Sequence, residues 1–175
     1  MSKKNGTQPG LMEIAPVEKS NTAAVKFRLK TGQQIMIRNQ YVYISGPVTD
    51  IADLNRPAFA DMERVIKNRG YLPINPHNII SADDQANLEW DRAMRVDVKY
   101  LLPAALVIML PGWHDSTGAI FEFITAKTLN IPVVDSDFNY LVIPTAQLYE
   151  LFRKIIVKIH QTETLQLTNY IHPVK

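Results

Sequence analysis

The sequence predicts an α/β fold in which a mainly parallel sheet is covered by helices on both faces. From Tyr41 onward, segments typical of strands alternate with segments typical of helices along the 175-residue chain. The strand segments, such as YVYIS and AALVIML, are continuously apolar rather than alternating. Strands of this kind are buried on both sides, as they are in parallel sheets flanked by helices.

A β-hairpin is predicted ahead of this domain, at residues 25–40. In VKFRLKTGQQIMIRN, apolar and polar residues alternate on either side of Thr31-Gly32. Two alternating runs around a glycine-containing turn are typical of paired antiparallel strands. Residues 1–24 are polar and show no periodicity, so we expect a flexible N-terminus.

The main domain is predicted at residues 41–160. Its strand segments are YVYISGP, YLPINP, AALVIML and IPVVD. The helices between them are RPAFADMERVIKNRG, which Gly70 closes, EWDRAMRVDVKYLL, and a stretch that begins with STGAIFEF. A further helix, TAQLYELFRKIIVKIH, has an apolar face and is followed by a tail at residues 161–175.

Composition excludes several classes of protein. A hydrophobic content of 46% and a charged content of 21% are ordinary for a globular domain, and the net charge of +2 gives no nucleic-acid or membrane footprint. With no cysteine, the chain has no disulfides, thiolate catalysis or Cys-ligated zinc. There is no signal-peptide core and no apolar stretch of membrane-spanning length. We expect a cytoplasmic protein with neither a membrane nor a nucleic acid polymer as partner.

Three loops are predicted to form a ligand site, because ligands of parallel sheets bind beyond the carboxyl ends of the strands. These loops are SGPVTD, NPHN and PGWHDSTG. The candidate substrate-binding residues are Ser45, Gly46, Pro47, Asn75, Trp113, His114, Ser116, Thr117 and Gly118.

Two acids lack helical partners. Three and four positions from Glu122 stand only small, uncharged residues, and the neighbours of Asp97 at the same spacing include no cation. The usual ion pair along a helix is therefore not available to either carboxylate. Each acid therefore either faces solvent or has a role in a reaction. Paired carboxylates suit reaction at an anomeric carbon, where one is the nucleophile and the other protonates or positions groups.

The start of the same helix admits two interpretations. Gly118 in the first turn costs roughly 1 kcal/mol relative to alanine, which close packing against a strand or approach of a ligand would explain. Ser116 is a plain N-cap or, with the free N–H groups of the helix start, an anion site. The chain has no GxGxxG motif and no P-loop lysine.

The segments YISGP (43–47), MRVD (94–97), VIMLPGW (107–113) and STGAIFE (116–122), in this order, resemble the nucleoside 2-deoxyribosyltransferase superfamily. The similarity covers about residues 41 to 135 and is greatest to a branch common in phages and prophages. Relatives include 2′-deoxynucleoside 5′-monophosphate N-hydrolases. The resemblance implies a flavodoxin-like three-layer sandwich, with the N-terminal hairpin and the C-terminal helix outside it.

The resemblance also implies roles for individual residues. Glu122, after Gly118, matches the glutamate that attacks the anomeric carbon, and Asp97 matches the aspartate that contacts the nucleoside. Tyr43 matches a tyrosine that lines the site, and Ser116 matches a serine that binds phosphate in the monophosphate hydrolases.

The sequence departs from the family's pattern in one turn and at one single residue. PVTDIADLNR replaces a Gly- and Arg-rich turn, with Arg56 as a distant substitute, and Ala105 stands where an aspartate is common. These departures bear on the identity of the substrate more than on the fold or the class of reaction.

The expected function is cleavage or transfer of the N-glycosidic bond of a 2′-deoxynucleoside or its 5′-monophosphate, through a covalent glycosyl-glutamate. Glu122, Asp97 and Tyr43 are the candidate catalytic residues. No metal or organic cofactor is expected. The expected partners are the small-molecule nucleoside or nucleotide and further copies of the chain. The alternative is a nucleotide-binding or sensing module of the same fold without turnover.

Overall fold

The computed structural model describes residues 24–79 and 89–171, with side chains described up to residue 164. Apart from Ala24, the N-terminal segment expected to be flexible lies outside the described residues.

The predicted hairpin is present. Strands β1 (Val25–Arg28) and β2 (Gln34–Ile37) pair antiparallel. Gly32 in the connecting turn has φ +85°, a left-handed conformation that glycine adopts without steric cost. The alternating pattern buries Phe27 and Ile37 and leaves their strand neighbours Lys26, Arg28 and Met36 exposed.

The predicted α/β fold is confirmed. Strands β3 (Tyr41–Ser45), β4 (Leu72–Ile74), β5 (Leu106–Met109) and β6 (Val133–Asp135) form a parallel sheet in the order β4-β3-β5-β6. The helices are α1 (Arg56–Asn68), α2 (Trp90–Leu101), α3 (Thr117–Thr128) and α4 (Thr145–Ile171). The chain crosses from one side of β3 to the other between β4 and β5, which brings the ends of β3 and β5 side by side.

The alternation of side chains along β3 divides the core into two layers. Val42 and Ile44 pack in a cluster with Phe59 of α1 and with the hairpin. Tyr43 points the other way and packs with residues of α2, α3 and α4. Ser45 follows Tyr43 by two positions, so its side chain lies on the same face of the sheet.

The C-terminal helix is longer than predicted. α4 continues past His160 to Ile171, so the segment assigned to a tail is helical as far as the chain is described. No proline or glycine interrupts this stretch. The Thr162 hydroxyl donates to the Lys158 carbonyl, which lets a polar residue remain within the helix. None of the helices in the described ranges is long and apolar enough to cross a lipid bilayer.

Candidate active site

Glu122 lies in the second turn of α3 and is buried, with 4% of its surface exposed. The helix begins at Ser116, whose extended backbone and Oγ, accepting from the Ala119 N–H at 3.3 Å, form an N-cap. From this start, α3 presents Glu122 to the face of the sheet that carries Tyr43. The interpretation of Glu122 as a solvent-facing acid is therefore wrong.

Both carboxylate oxygens of Glu122 accept a hydrogen bond from β3. The Tyr43 hydroxyl donates to Oε1 at 2.5 Å, and the Ser45 hydroxyl donates to Oε2 at 2.5 Å. Because side chains two apart on a strand share a face, one strand supplies both donors. Contact between Tyr43 and Glu122 agrees with the predicted placement of Tyr43. Ser45 was expected to bind substrate; its hydroxyl donates to Glu122, and substrate binding by Ser45 stays a prediction.

Asp97 lies on the face of α2 that also carries Met94 and Leu101, three and four residues away. Its Oδ1 atom is buried and has no hydrogen-bond partner among the described residues. An unsatisfied buried polar atom costs about 1–3 kcal/mol, so this position is costly for folding alone. The electrostatic influence of Asp97 reaches Glu122 and Tyr43, so the three residues form one cluster.

Burial raises the pKa of both acids. Desolvation raises the pKa of Asp97 from 3.8 to about 7. Desolvation and then the Asp97 charge raise the pKa of Glu122 from 4.5 to about 8, against the lowering effect of the hydrogen bonds from Ser45 and Tyr43. Two such bonds contribute about 1.5–3 kcal/mol each, whereas desolvating a carboxylate costs several kcal/mol, so desolvation prevails.

The two acids share one proton near neutral pH, because two interacting carboxyl groups lose their protons in steps that belong to the pair. The geometry of the donors favours the proton on Asp97. The Tyr43 and Ser45 hydroxyls donate to both oxygens of Glu122, which suits an ionised carboxylate, whereas Asp97 Oδ1 has no donor among the described residues and is cheaper to bury in the neutral form. On this ground we assign the ionised carboxylate to Glu122 and the neutral carboxyl to Asp97.

Packing explains both glycines of the site. A Cβ on Gly118 would lie 3.3 Å from the Met94 Cε, so the glycine lets α3 approach a helix, α2, rather than a strand. A Cβ on Gly46 would lie 2.8 Å from the Leu110 Cβ, a distance that Cβ atoms essentially never show. This close contact holds the end of β3, and with it Ser45, against the segment that follows β5.

Other predicted binding residues make contacts within the protein. Asn75 is buried, donates to Glu63 Oε2 at 2.8 Å and accepts from the His77 N–H. Trp113 is 8% exposed and stacks on Phe123 with ring centroids 4.7 Å apart, as a loop anchor would. Their assignment to substrate binding stays a prediction.

The turn after β3 adopts an unusual backbone. Asp53, Leu54 and Asn55 have φ between +51° and +60°, which costs side-chain-bearing residues of order 1–3 kcal/mol each. The Asn55 amide donates to the Pro47 carbonyl at 2.9 Å, which ties the turn to the end of β3. Arg56 begins α1, with its Nε 4.0 Å from Asp53 Oδ1.

The start of α3 has a cation that the sequence did not indicate. Lys154 of α4 donates to the His114 carbonyl at 2.6 Å and lies 3.2 Å from Asp115 Oδ1. His114 is exposed, and its Nε2 lies 3.2 Å from Asp115 Oδ2. Ser116 and Thr117 follow directly. Lys154 is far from Ser116 in sequence, so only the packing of α4 brings it here.

A family model described as "Domain of unknown function (DUF4406)" matches residues 40–135, more than half of the chain. The chain belongs to this family. No curated protein matches the sequence. The DUF4406 match covers all four strands of the parallel sheet and the cluster of Tyr43, Ser45, Asp97 and Glu122. The hairpin and α4 lie outside it.

Within residues 24–79 and 89–171 of this DUF4406 protein, no group of three or more histidine, aspartate or glutamate side chains could hold a metal ion. The cluster itself offers acids and hydroxyls. An ionised carboxylate held at both oxygens can act as a nucleophile, and a neutral carboxyl beside it can supply a proton.

Proposed function

We propose that this DUF4406 protein cleaves or transfers the N-glycosidic bond of a 2′-deoxynucleoside or its 5′-monophosphate through a covalent intermediate on Glu122. The observation that carries the proposal is the buried Glu122, held by two hydroxyls and adjoining a second acid. No lysine or arginine of the described residues pairs with Glu122. Strongly perturbed acids without a structural ion pair are typical of catalytic sites.

The proposed reaction has two steps. One oxygen of Glu122 forms a bond to C1′ as the C1′–N bond breaks, and the base leaves with the electron pair and takes the proton of Asp97. Water then attacks C1′, gives a proton back to Asp97 and releases Glu122 as a carboxylate. If a second base replaces water, the same steps give transfer rather than hydrolysis.

The assignment to nucleoside 2-deoxyribosyltransferase-like enzymes is part of this proposal, because the description of DUF4406 names no activity. Its support is that the residues matched by resemblance, Tyr43, Asp97 and Glu122, lie together although they are far apart in sequence.

The direct test is incubation with a panel of 2′-deoxynucleosides and their 5′-monophosphates, followed by chromatography for free base. Release of base from at least one compound is expected. Binding of nucleotides without any release would contradict the proposal and favour a nucleotide-sensing module.

A 5′-monophosphate is the preferred substrate in this proposal. The Ser116 hydroxyl can donate to an anion while Oγ accepts from the Ala119 N–H. The start of α3 favours negative charge. Lys154, held beside the same turn, would supply the cation that the replaced Gly- and Arg-rich turn does not.

We expect Ser116→Ala to lower kcat/KM for a deoxynucleoside monophosphate at least about tenfold, the size of one lost charge-assisted hydrogen bond, and to spare the unphosphorylated nucleoside. Ser116→Asp is the matched variant, because aspartate keeps the N-cap but repels phosphate. Ser116→Thr should retain activity. Equal losses on both substrates would reject phosphate recognition at this position.

We also propose that the protein is a homo-oligomer that pairs through α4. The apolar residues predicted for this helix fall into a buried set and an exposed set. Leu151 and Ile155 are buried in the core, whereas a stripe at a spacing of three and four residues stays exposed. The exposed stripe consists of Tyr149, Phe152, Ile156 and Ile159.

Light scattering should therefore give a mass above that of the 19.9 kDa chain. Ile156→Glu places a charge within the exposed stripe and should return the protein to a single chain. Gln161→Glu adds the same charge on another face of α4 and should change nothing. A wild-type protein that is monomeric at micromolar concentration would remove this proposal.

A further inference from the structure

Ser45 is a fully buried residue whose hydroxyl is used entirely within the protein. It donates to Glu122 Oε2 from the last position of β3. The backbone on either side is fixed, because the Ser45 carbonyl accepts from the Leu110 N–H at 2.8 Å and Gly46 packs on Leu110. The backbone that carries the Ser45 side chain is therefore held in a fixed position relative to Glu122.

The two donors to Glu122 differ in freedom of movement. Tyr43 is a large, fully buried ring in the core between the sheet and α2, α3 and α4, so its hydroxyl cannot leave Oε1 without repacking. Ser45 carries its hydroxyl on a single methylene, so rotation about one carbon–carbon bond moves Oγ away from Oε2, whereas moving the Tyr43 oxygen displaces a whole ring. The bond to Oε2 is therefore the easier of the two to give up.

In the proposed glycosyl ester, the two oxygens of Glu122 also differ in their need for a hydrogen-bond donor. When Glu122 bonds to C1′, one oxygen becomes the bridging ester oxygen and the other becomes the carbonyl. The carbonyl remains a good hydrogen-bond acceptor and can keep the Tyr43 hydroxyl. The bridging oxygen has given its electron pair to the new bond and no longer needs a donor.

Resting on the proposed function, we infer that Ser45 is a positioning residue that presents Oε2 of Glu122 as the attacking oxygen, while Tyr43 holds Oε1 as the future ester carbonyl. Ser45 maintains the carboxylate before the reaction and releases Oε2 as the bond to C1′ forms. This role differs from substrate binding, since the Ser45 side chain contacts Glu122 rather than the ligand.

The test is a pH titration of Glu122 monitored by ¹³C NMR, with the protein labelled at the glutamate side-chain carboxyl carbons. The Glu122 signal is assigned as the one that is missing from the spectrum of Glu122→Gln. Tyr43 from β3 and Asp97 from α2 are the titratable groups of the described residues that act on Glu122. Ser45→Ala leaves both in place and removes one charge-assisted bond. Its Glu122 midpoint should rise by about 1–2 pH units.

Two variants serve as controls for this titration. Ser45→Thr keeps a hydroxyl and should leave the midpoint near that of the wild type. Thr128→Ala removes a hydroxyl bond to the Ile124 carbonyl on the same helix and should also leave it unchanged. If Ser45→Ala does not raise the midpoint, or if Ser45→Thr raises it equally, the inference is wrong.

Kinetics give a second readout. Ser45→Ala should lower kcat at neutral pH with little change in KM, and the loss should diminish as pH rises above the new midpoint. A raised KM with unchanged kcat would show that Ser45 binds substrate and would overturn the inference. If the wild type releases no base, the proposed function fails, yet the titration still decides whether Ser45 sets the state of Glu122.

Discussion

Glu122→Gln should abolish release of free base while the protein stays folded. The amide has the shape of the carboxylate and its oxygen can still accept from one of the two hydroxyls, but it cannot form the glycosyl ester. We expect a loss of at least about a thousandfold in kcat, the scale on which removing one member of a concerted catalytic set acts. Chromatography of released base over hours of incubation measures it.

The matched control for this variant is Glu63→Gln. Glu63 is a half-buried acid that, like Glu122, accepts several hydrogen bonds, here from Lys67, Asn75 and Asn78, but it is not part of the Glu122 cluster. Desolvation raises the pKa of Glu63, but these hydrogen bonds and the charge of Lys67 outweigh it, so the pKa is lowered rather than raised. Near-normal base release from Glu122→Gln would show that the mechanism is wrong.

Asp97→Asn should lower kcat by about 10²–10⁴-fold, the usual contribution of a positioned proton donor. Substrates whose base leaves without protonation should be affected least. An equal loss on good and poor leaving groups would contradict a role for Asp97 in proton transfer.

The same pair should make the stability of the protein depend on pH. Both acids have folded-state pKa values raised above their ordinary values of 3.8 and 4.5, so the stability that they contribute is present at pH below about 4. It is lost as pH rises through about 7 and 8, because the unfolded chain has then already released the two protons. The melting temperature should fall over this window, and Asp97→Asn should flatten the fall. A wild-type melting temperature that rises from pH 5 to about pH 8 would contradict the burial of these protons.

The sequence was sufficient for the parallel sheet because the strands on both sides of the site are continuously apolar. It also singled out Asp97 and Glu122, since an acid without a helical ion-pair partner is visible from spacing alone. The placement of Tyr43 in the site came from the resemblance, and its contact with Glu122 agrees with that placement.

The rest depended on packing that spacing does not reveal. Ser45 was assigned to substrate because it ends a strand, and only the approach of α3 shows that it bonds to Glu122. The partner of Gly118 is a helix, through Met94, and the turn at Leu54 is left-handed without any glycine to mark it. Lys154 reaches the start of α3 only because α4 packs there.

The stereochemistry of the product tests the central claim most directly. With methanol added as an acceptor, a β-configured 2′-deoxynucleoside or its monophosphate should yield a methyl deoxyriboside that keeps the β configuration, because two displacements through Glu122 restore it. Proton NMR of the methyl glycoside, which does not mutarotate, reads the configuration. An α-configured product would show direct displacement without a glycosyl-enzyme and would contradict the covalent role of Glu122.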